Sequence, residues 1–112
     1  LFHKESSMKK LIMLVKIVKA IKEKFELDET DLRILTIVGL ADEENRELHV
    51  TDITRMHDIA SPATLHYRIT KDLVERHMII ITPSTEDARM KTVKPGKKFK
   101  TLVNFLEKNF WS

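Results

Sequence analysis

The side chains with chemistry to offer gather in the second half of the chain. Ser61-Pro62-Ala63-Thr64 opens a segment that continues through His66, Tyr67, Arg68 and Lys71. Ser caps a helix well, and Pro suits the first helical position, where its missing N–H is no loss. A major groove admits such a helix, and polar side chains near its start reach base edges and phosphates. Arg68 and Lys71 can pair with phosphate or guanine, Thr64 and Tyr67 can donate to phosphate, and Ala63 can touch a thymine methyl. Downstream, Ser84-Thr85-Glu86-Asp87-Ala88-Arg89 sets a carboxylate and a guanidinium two residues apart in a polar loop. Lys91 and Lys94 follow and add attraction for phosphate.

Other chemistries find little footing. The chain has five His and no Cys, so disulfides, thiolate zinc sites and cysteine nucleophiles are excluded. No H-E-x-x-H pattern occurs, and His49 and His57 only flank a short helix; no metal site is expected. There is no Gly-rich phosphate loop, no G-x-S-x-G and no carboxylate pair set for acid–base work. Asp42-Glu43-Glu44 reads as a solvated helix end. The expectation is a protein that is not an enzyme and carries no cofactor.

At 112 residues, with 42% hydrophobic and 33% charged residues, the chain has the composition of one globular domain with a real core. No apolar run approaches the roughly 20 residues that span a bilayer, and a cytoplasmic location is expected. The net charge is +3, mild for a nucleic-acid binder, so its placement matters more than its sum. Residues 8–26 hold six Lys against Glu23 and Glu26, and residues 96–112 hold four Lys against Glu107. Between them, residues 27–50 hold seven acids against Arg33 and Arg46. Leu1–Ser7 show no periodicity and precede Met8-Lys9-Lys10; they read as a cloning remnant or a disordered N-terminus, with one domain over 8–112.

The elements that must position these residues follow from periodicity. Leu11, Leu14, Val18, Ile21 and Phe25 make one stripe of a helix over about 8–26, widened by Ile12, Val15 and Ile17. A second helix starts near Asp28, with acids in its first turn where the helix dipole favours them. Leu48-His49-Val50 is extended, and Thr51 is expected to cap a brief helix ending near His57. The helix from Pro62 to about Arg76 turns Leu65, Ile69, Leu73 and Val74 inward. Met78–Thr82 and Met90–Lys94 are expected to pair as a hairpin, and a last helix from about Lys97 carries Phe99, Leu102, Val103, Leu106 and Phe110. The fold class is mainly α with a small β-hairpin wing: helix, helix, strand, helix, helix, hairpin, helix. That is the layout of a winged helix-turn-helix.

Over roughly Glu29–Phe99 the chain resembles the MarR-type winged-helix transcription regulators. Three stretches carry the resemblance. Val50-Thr51-Asp52-Ile53 through Ser61-Pro62-Ala63-Thr64-Leu65 is similar to the family's two helix-turn-helix helices. Leu73–Ile80 is similar to its passage into the wing, with His77 where Gly is usual. Ser84–Arg89 fits the wing pattern S-x-x-D-x-R, and Pro95-Gly96-Lys97 stands where the family often starts a helix. Tyr67 occupies a position often basic in the family, and the chain has room for one C-terminal helix only. The resemblance implies that Arg89 reaches the minor groove, whose negative potential favours it, or its phosphates, and that Asp87 orients it.

The expected function is a sequence-specific double-stranded DNA-binding transcription regulator, most simply a repressor, with a recognition helix over about 62–76 in the major groove and a wing over about 83–89 on the minor groove. It would contact DNA through Ser61, Pro62, Ala63, Thr64, His66, Tyr67, Arg68, Lys71, Asp87, Arg89 and Lys91. The surplus apolar residues of the terminal helices point to a homodimer. Leu11, Leu14, Val18, Ile21 and Phe25 would form its interface with Leu102, Leu106 and Phe110, widened by Phe105 and Trp111. Any small-molecule effector is left open. The alternative is a winged-helix module that binds transcription or replication machinery.

Overall fold

Three of the helices stop by the same local device, without glycine. In the computed structural model, which describes residues 4–111, α1 (Lys4–Phe25) ends at Glu26 with φ 53°, and the Leu27 N–H closes back on the Lys22 carbonyl. Helix α2 (Glu29–Glu43) ends on Asn45 at φ 54°, with the Arg46 N–H bonded to the Ala41 carbonyl. The third is the helical stretch that ends at α5 (Leu73–Glu75); it turns at His77, φ 60°, and the Met78 N–H reaches the Leu73 carbonyl. A left-handed residue after the last turn satisfies otherwise orphaned carbonyls.

Helix α1 begins ahead of Met8, so Lys4–Ser7 belong to the helix; Leu1–His3 lie outside the described residues. Asp28 caps α2 through a reciprocal pair: its carboxylate accepts the Asp31 N–H at 2.9 Å, and the Asp31 carboxylate accepts the Asp28 N–H at 3.1 Å. The next helix corrects the expectation for Thr51. Helix α3 (Val50–Thr54) is capped by His49, whose N–H is held by the Asp52 carboxylate at 2.8 Å. Val50 is therefore helical, and only Leu48 and His49 are extended.

The helix opened by Ser61 runs as α4 (Pro62–Tyr67), a π turn (Arg68–Asp72) and α5. In the π turn the Leu73 N–H bonds the carbonyl five residues back, at Arg68. Residues four apart drift forward around an α-helix of 3.6 residues per turn. The wider π turn rotates less per residue and takes that drift back. Leu65, Ile69 and Leu73 all stay fully buried as a result.

Strands β1 (Ile79–Pro83) and β2 (Lys91–Pro95) pair antiparallel with Ile81 opposite Val93, one residue later at each end than expected. The Val93 N–H donates to the Leu48 carbonyl at 2.7 Å and His49 bridges Thr92, so the extended pair joins the hairpin as a rudimentary third strand. Helix α6 (Lys97–Phe110) closes the chain. Ile34, Val38, Ile53, Leu65, Ile69, Leu73, Met78 and Ile79 form the centre of the core, all within 1% of full burial.

The molecule measures 52 × 28 × 28 Å with a radius of gyration of 15.9 Å. A rounded chain of this length would give about 13 Å. The excess comes from α1, whose inner turns pack on the body and whose outer turns project. Among the described residues no helix is long and apolar enough to cross a membrane.

Candidate nucleic-acid interface

The helix that carries the expected contacts is built from its start. Ser61 is extended; its Oγ accepts the Thr64 N–H at 3.2 Å and lies 2.9 Å from the Thr64 hydroxyl oxygen. With Leu65, Ile69 and Leu73 anchored in the core, the opposite side is left to solvent. Ser61, Pro62, Ala63, Thr64, His66 and Lys71 are all exposed, and Tyr67 is 56% exposed. Thr70 joins this face, its hydroxyl donating to the His66 carbonyl at 2.6 Å. Sequence reasoning passed over Thr70, although its spacing of three and four from Tyr67 and His66 placed it on the same face.

Arg68, expected to pair with phosphate or guanine, is engaged within the chain instead. Its Nη1 donates to both Asp28 oxygens at 2.9 and 2.7 Å and to Asp31 Oδ1 at 2.9 Å. The guanidinium is spent on two carboxylates at the start of α2. Hydrogen bonds donated to Asp28, then to Asp31, raise the Arg68 pKa above its ordinary value. Partial burial works against the Asp28 charge, but the Asp31 N–H and Arg68 outweigh it and hold the carboxyl below its ordinary value.

The wing keeps its expected pair. Arg89 Nε and Nη2 donate to the two Asp87 oxygens at 3.2 and 3.1 Å, and the Arg89 N–H to Asp87 Oδ1 at 3.0 Å. These bonds, the side-chain one first, lower the Asp87 pKa. The Arg89 side chain is 90% exposed, so the brace leaves it presented outward. Lys91 and Lys94 are exposed along β2.

The wing's root rests on Glu47, which sequence reasoning missed. Its carboxylate accepts from the Thr92 hydroxyl at 2.7 Å, the Thr85 N–H at 3.3 Å and the Thr85 hydroxyl at 3.4 Å. Hydrogen bonds from Ser84 and Thr92, helped by the Thr85 N–H and nearby His49, overcome burial and bring its pKa down to about 2. Ser84 is itself buried, its Oγ accepting the Glu86 N–H at 3.1 Å. For Glu47 the sequence offered a carboxylate beside Leu48-His49, and its partners lie 38 and 45 residues away.

The expected dimer residues divide. Ile21, Phe25 and Leu102 are buried in the chain's own core, which corrects their assignment to a free interface. Phe25 and Phe105 meet edge to face at 5.6 Å, and Phe105 and Phe110 at 6.1 Å. Leu106 and Phe110 are half-buried, whereas Leu11, Leu14 and Val18 are exposed. Among the described residues no group of three or more His, Asp or Glu is placed to hold a metal ion.

The fold of this chain is matched by two solved structures. A mutant of S. aureus MepR matches 97% of this chain and 77% of its own, at 17% identity and a TM-score of 0.64. The adhesin competence repressor AdcR from Streptococcus pyogenes matches 89% of this chain and 69% of its own, at 26% identity and a TM-score of 0.54. The chain has the winged-helix fold of the MarR-type regulators. In that fold α3 and Pro62–Glu75 are the helix-turn-helix pair, the hairpin is the wing, and α1 and α6 are the flanking helices. No family model and no curated protein matches the chain.

Proposed function

We propose that this chain is a MarR-like, DNA-binding transcription regulator, not an enzyme, that represses by occluding a promoter in the cytoplasm. The observation that carries the reading is the exposed face of Ala63, Thr64, His66, Tyr67, Thr70 and Lys71 on a capped helix beside an outward Arg89. The helix over Pro62–Glu75 enters the major groove, with Lys71 on phosphate. The wing lays Arg89 along the minor groove, held by Asp87. A solved neighbour in fold is named as a repressor, which supports the sign of regulation.

The regulator works as a homodimer. Leu11, Leu14 and Val15 are 56–60% exposed on the projecting half of α1, an apolar row that needs a cover in water. A twofold pair would set two recognition helices one DNA turn apart, about 34 Å.

The test is selection of duplexes from a random pool, followed by titration of the selected and a random duplex at several salt concentrations. The expected result is preference for the selected site and a log affinity that falls linearly with log salt. Weak binding with no preference at any salt would favour the protein-interaction module instead.

A further inference from the structure

Two arginines tie the recognition helix to the elbow between α1 and α2. Arg68 Nη1 holds Asp28 and Asp31 within 2.9 Å, as described. Two turns on, Arg76 Nη2 donates to the carbonyls of Phe25 and Glu26 at 2.5 and 2.7 Å. Its Nη1 lies 3.8 Å from Asp31 Oδ2 and 3.7 Å from Asp72 Oδ2. Asp31 therefore stands between both guanidiniums, its side chain only 3% exposed. A buried carboxylate that loses one of its cations is left as an uncompensated charge, so such a cluster holds or fails together.

The elbow is short and shaped by the same residues. Glu26 is left-handed, and Asp28 caps α2 while it accepts Arg68. Arg68 and Asp72 mark the two ends of the π turn. The non-α stretch of the recognition helix thus lies where that helix is bonded to the elbow. At the far side of the elbow α1 extends as a helix of 22 residues.

We propose that Arg68 is a positioning residue for DNA binding: through Asp28 and Asp31 it sets the pitch of the recognition helix on the α1–α2 elbow, so that a tilt of α1 passes into the helix's exposed face. This rests on the reading of Pro62–Glu75 as the helix that meets DNA. Small helix shifts at a packed junction are a recurring means of switching. Here the junction is ionic.

The test compares Arg68→Gln, Asp28→Asn and the double variant with the unaltered chain. Each single change is expected to cut the preference for the selected duplex over a random one about tenfold, with the double no worse than either single. Random-duplex affinity stays unchanged. In the free protein, amide exchange at Ile69–Leu73 rises while the Val93 amide in the wing keeps its rate. Equal losses on both duplexes that follow a lower melting temperature, or single effects that add in the double, would overturn the proposal. If the unaltered chain prefers no duplex, the DNA-binding function falls and amide exchange decides alone. Faster exchange confined to Ile69–Leu73 and shared by both singles keeps the elbow coupling, and uniform or unchanged exchange ends it. Should Arg68→Gln fail to fold, Asp28→Asn carries both measurements, since the Asp28 side chain is 55% exposed.

Discussion

A Cβ on Gly96 would stand 2.5 Å from the His77 carbonyl oxygen. The two residues fasten the hairpin's base: the Gly96 N–H bonds the Met78 carbonyl at 2.9 Å, and the Lys98 N–H bonds the His77 carbonyl at 2.8 Å. Gly96 is needed for this close approach and has no positive φ, whereas His77 takes the left-handed turn without being glycine. His77→Gly is therefore expected to stabilise the protein by about 1 kcal/mol, or about 4 °C in melting temperature. Gly96→Ala is expected to cost roughly 2 kcal/mol, because backbone must give way. Thermal unfolding of the two variants checks both signs.

Acid should loosen the wing's root in a defined window. The Glu47 pKa is lowered to about 2 in the folded chain from an ordinary 4.5. A depressed carboxylate contributes stability that is full above the unfolded value and is lost as pH falls through the folded one. Its contribution is thus present above about pH 5 and fades toward pH 2. Urea unfolding across that range should show a shallower loss in Glu47→Gln than in the unaltered chain. An identical slope would mean that Thr85 and Thr92 do not favour the charged form.

Lys71 is exposed on the recognition face. Lys71→Ala should weaken binding to every duplex alike and reduce the slope of log affinity against log salt by about 1. A change confined to one sequence would assign Lys71 to a base instead.

Arg89 reaches out from the wing with Asp87 as its brace, and exposed pairs of this kind add little stability. Arg89→Ala should lower DNA affinity while the melting temperature stays within a few degrees. A stability loss with unchanged affinity would make Arg89 a loop brace.

Leu14 is 58% exposed on α1. Leu14→Glu is expected to give a monomer by light scattering where the unaltered chain gives a dimer. A monomeric mass for the unaltered chain at high concentration would refute the homodimer.

What could be read in the sequence was local. Asp28 at the start of α2, Ser61-Pro62, and the Ser84–Arg89 loop declare themselves through short-range signals, and the order of elements follows from them. The unread parts depend on partners far along the chain. Arg68 looks like a DNA-reading cation until Asp28, 40 residues earlier, is placed beside it. Glu47 looks like one acid among seven until Thr92, 45 residues on, donates to it. The π turn has no periodic signature of its own, since Leu65, Ile69 and Leu73 suit an ordinary helix almost as well. On α1 the apolar stripe was legible, but not which turns the chain itself covers.

The projecting half of α1 has a consequence for how the protein would be observed when dilute. Helices without a packed face are marginal in water, and their order comes mainly from what they pack against. The inner turns have Phe105 and the core beside them, whereas the outer turns present Leu11, Leu14 and Val15 to solvent. Ellipticity at the helical band should therefore depend on protein concentration, rising as copies meet. Helix content in this chain is then a measure of company kept, and the length of α1 becomes a readout of association.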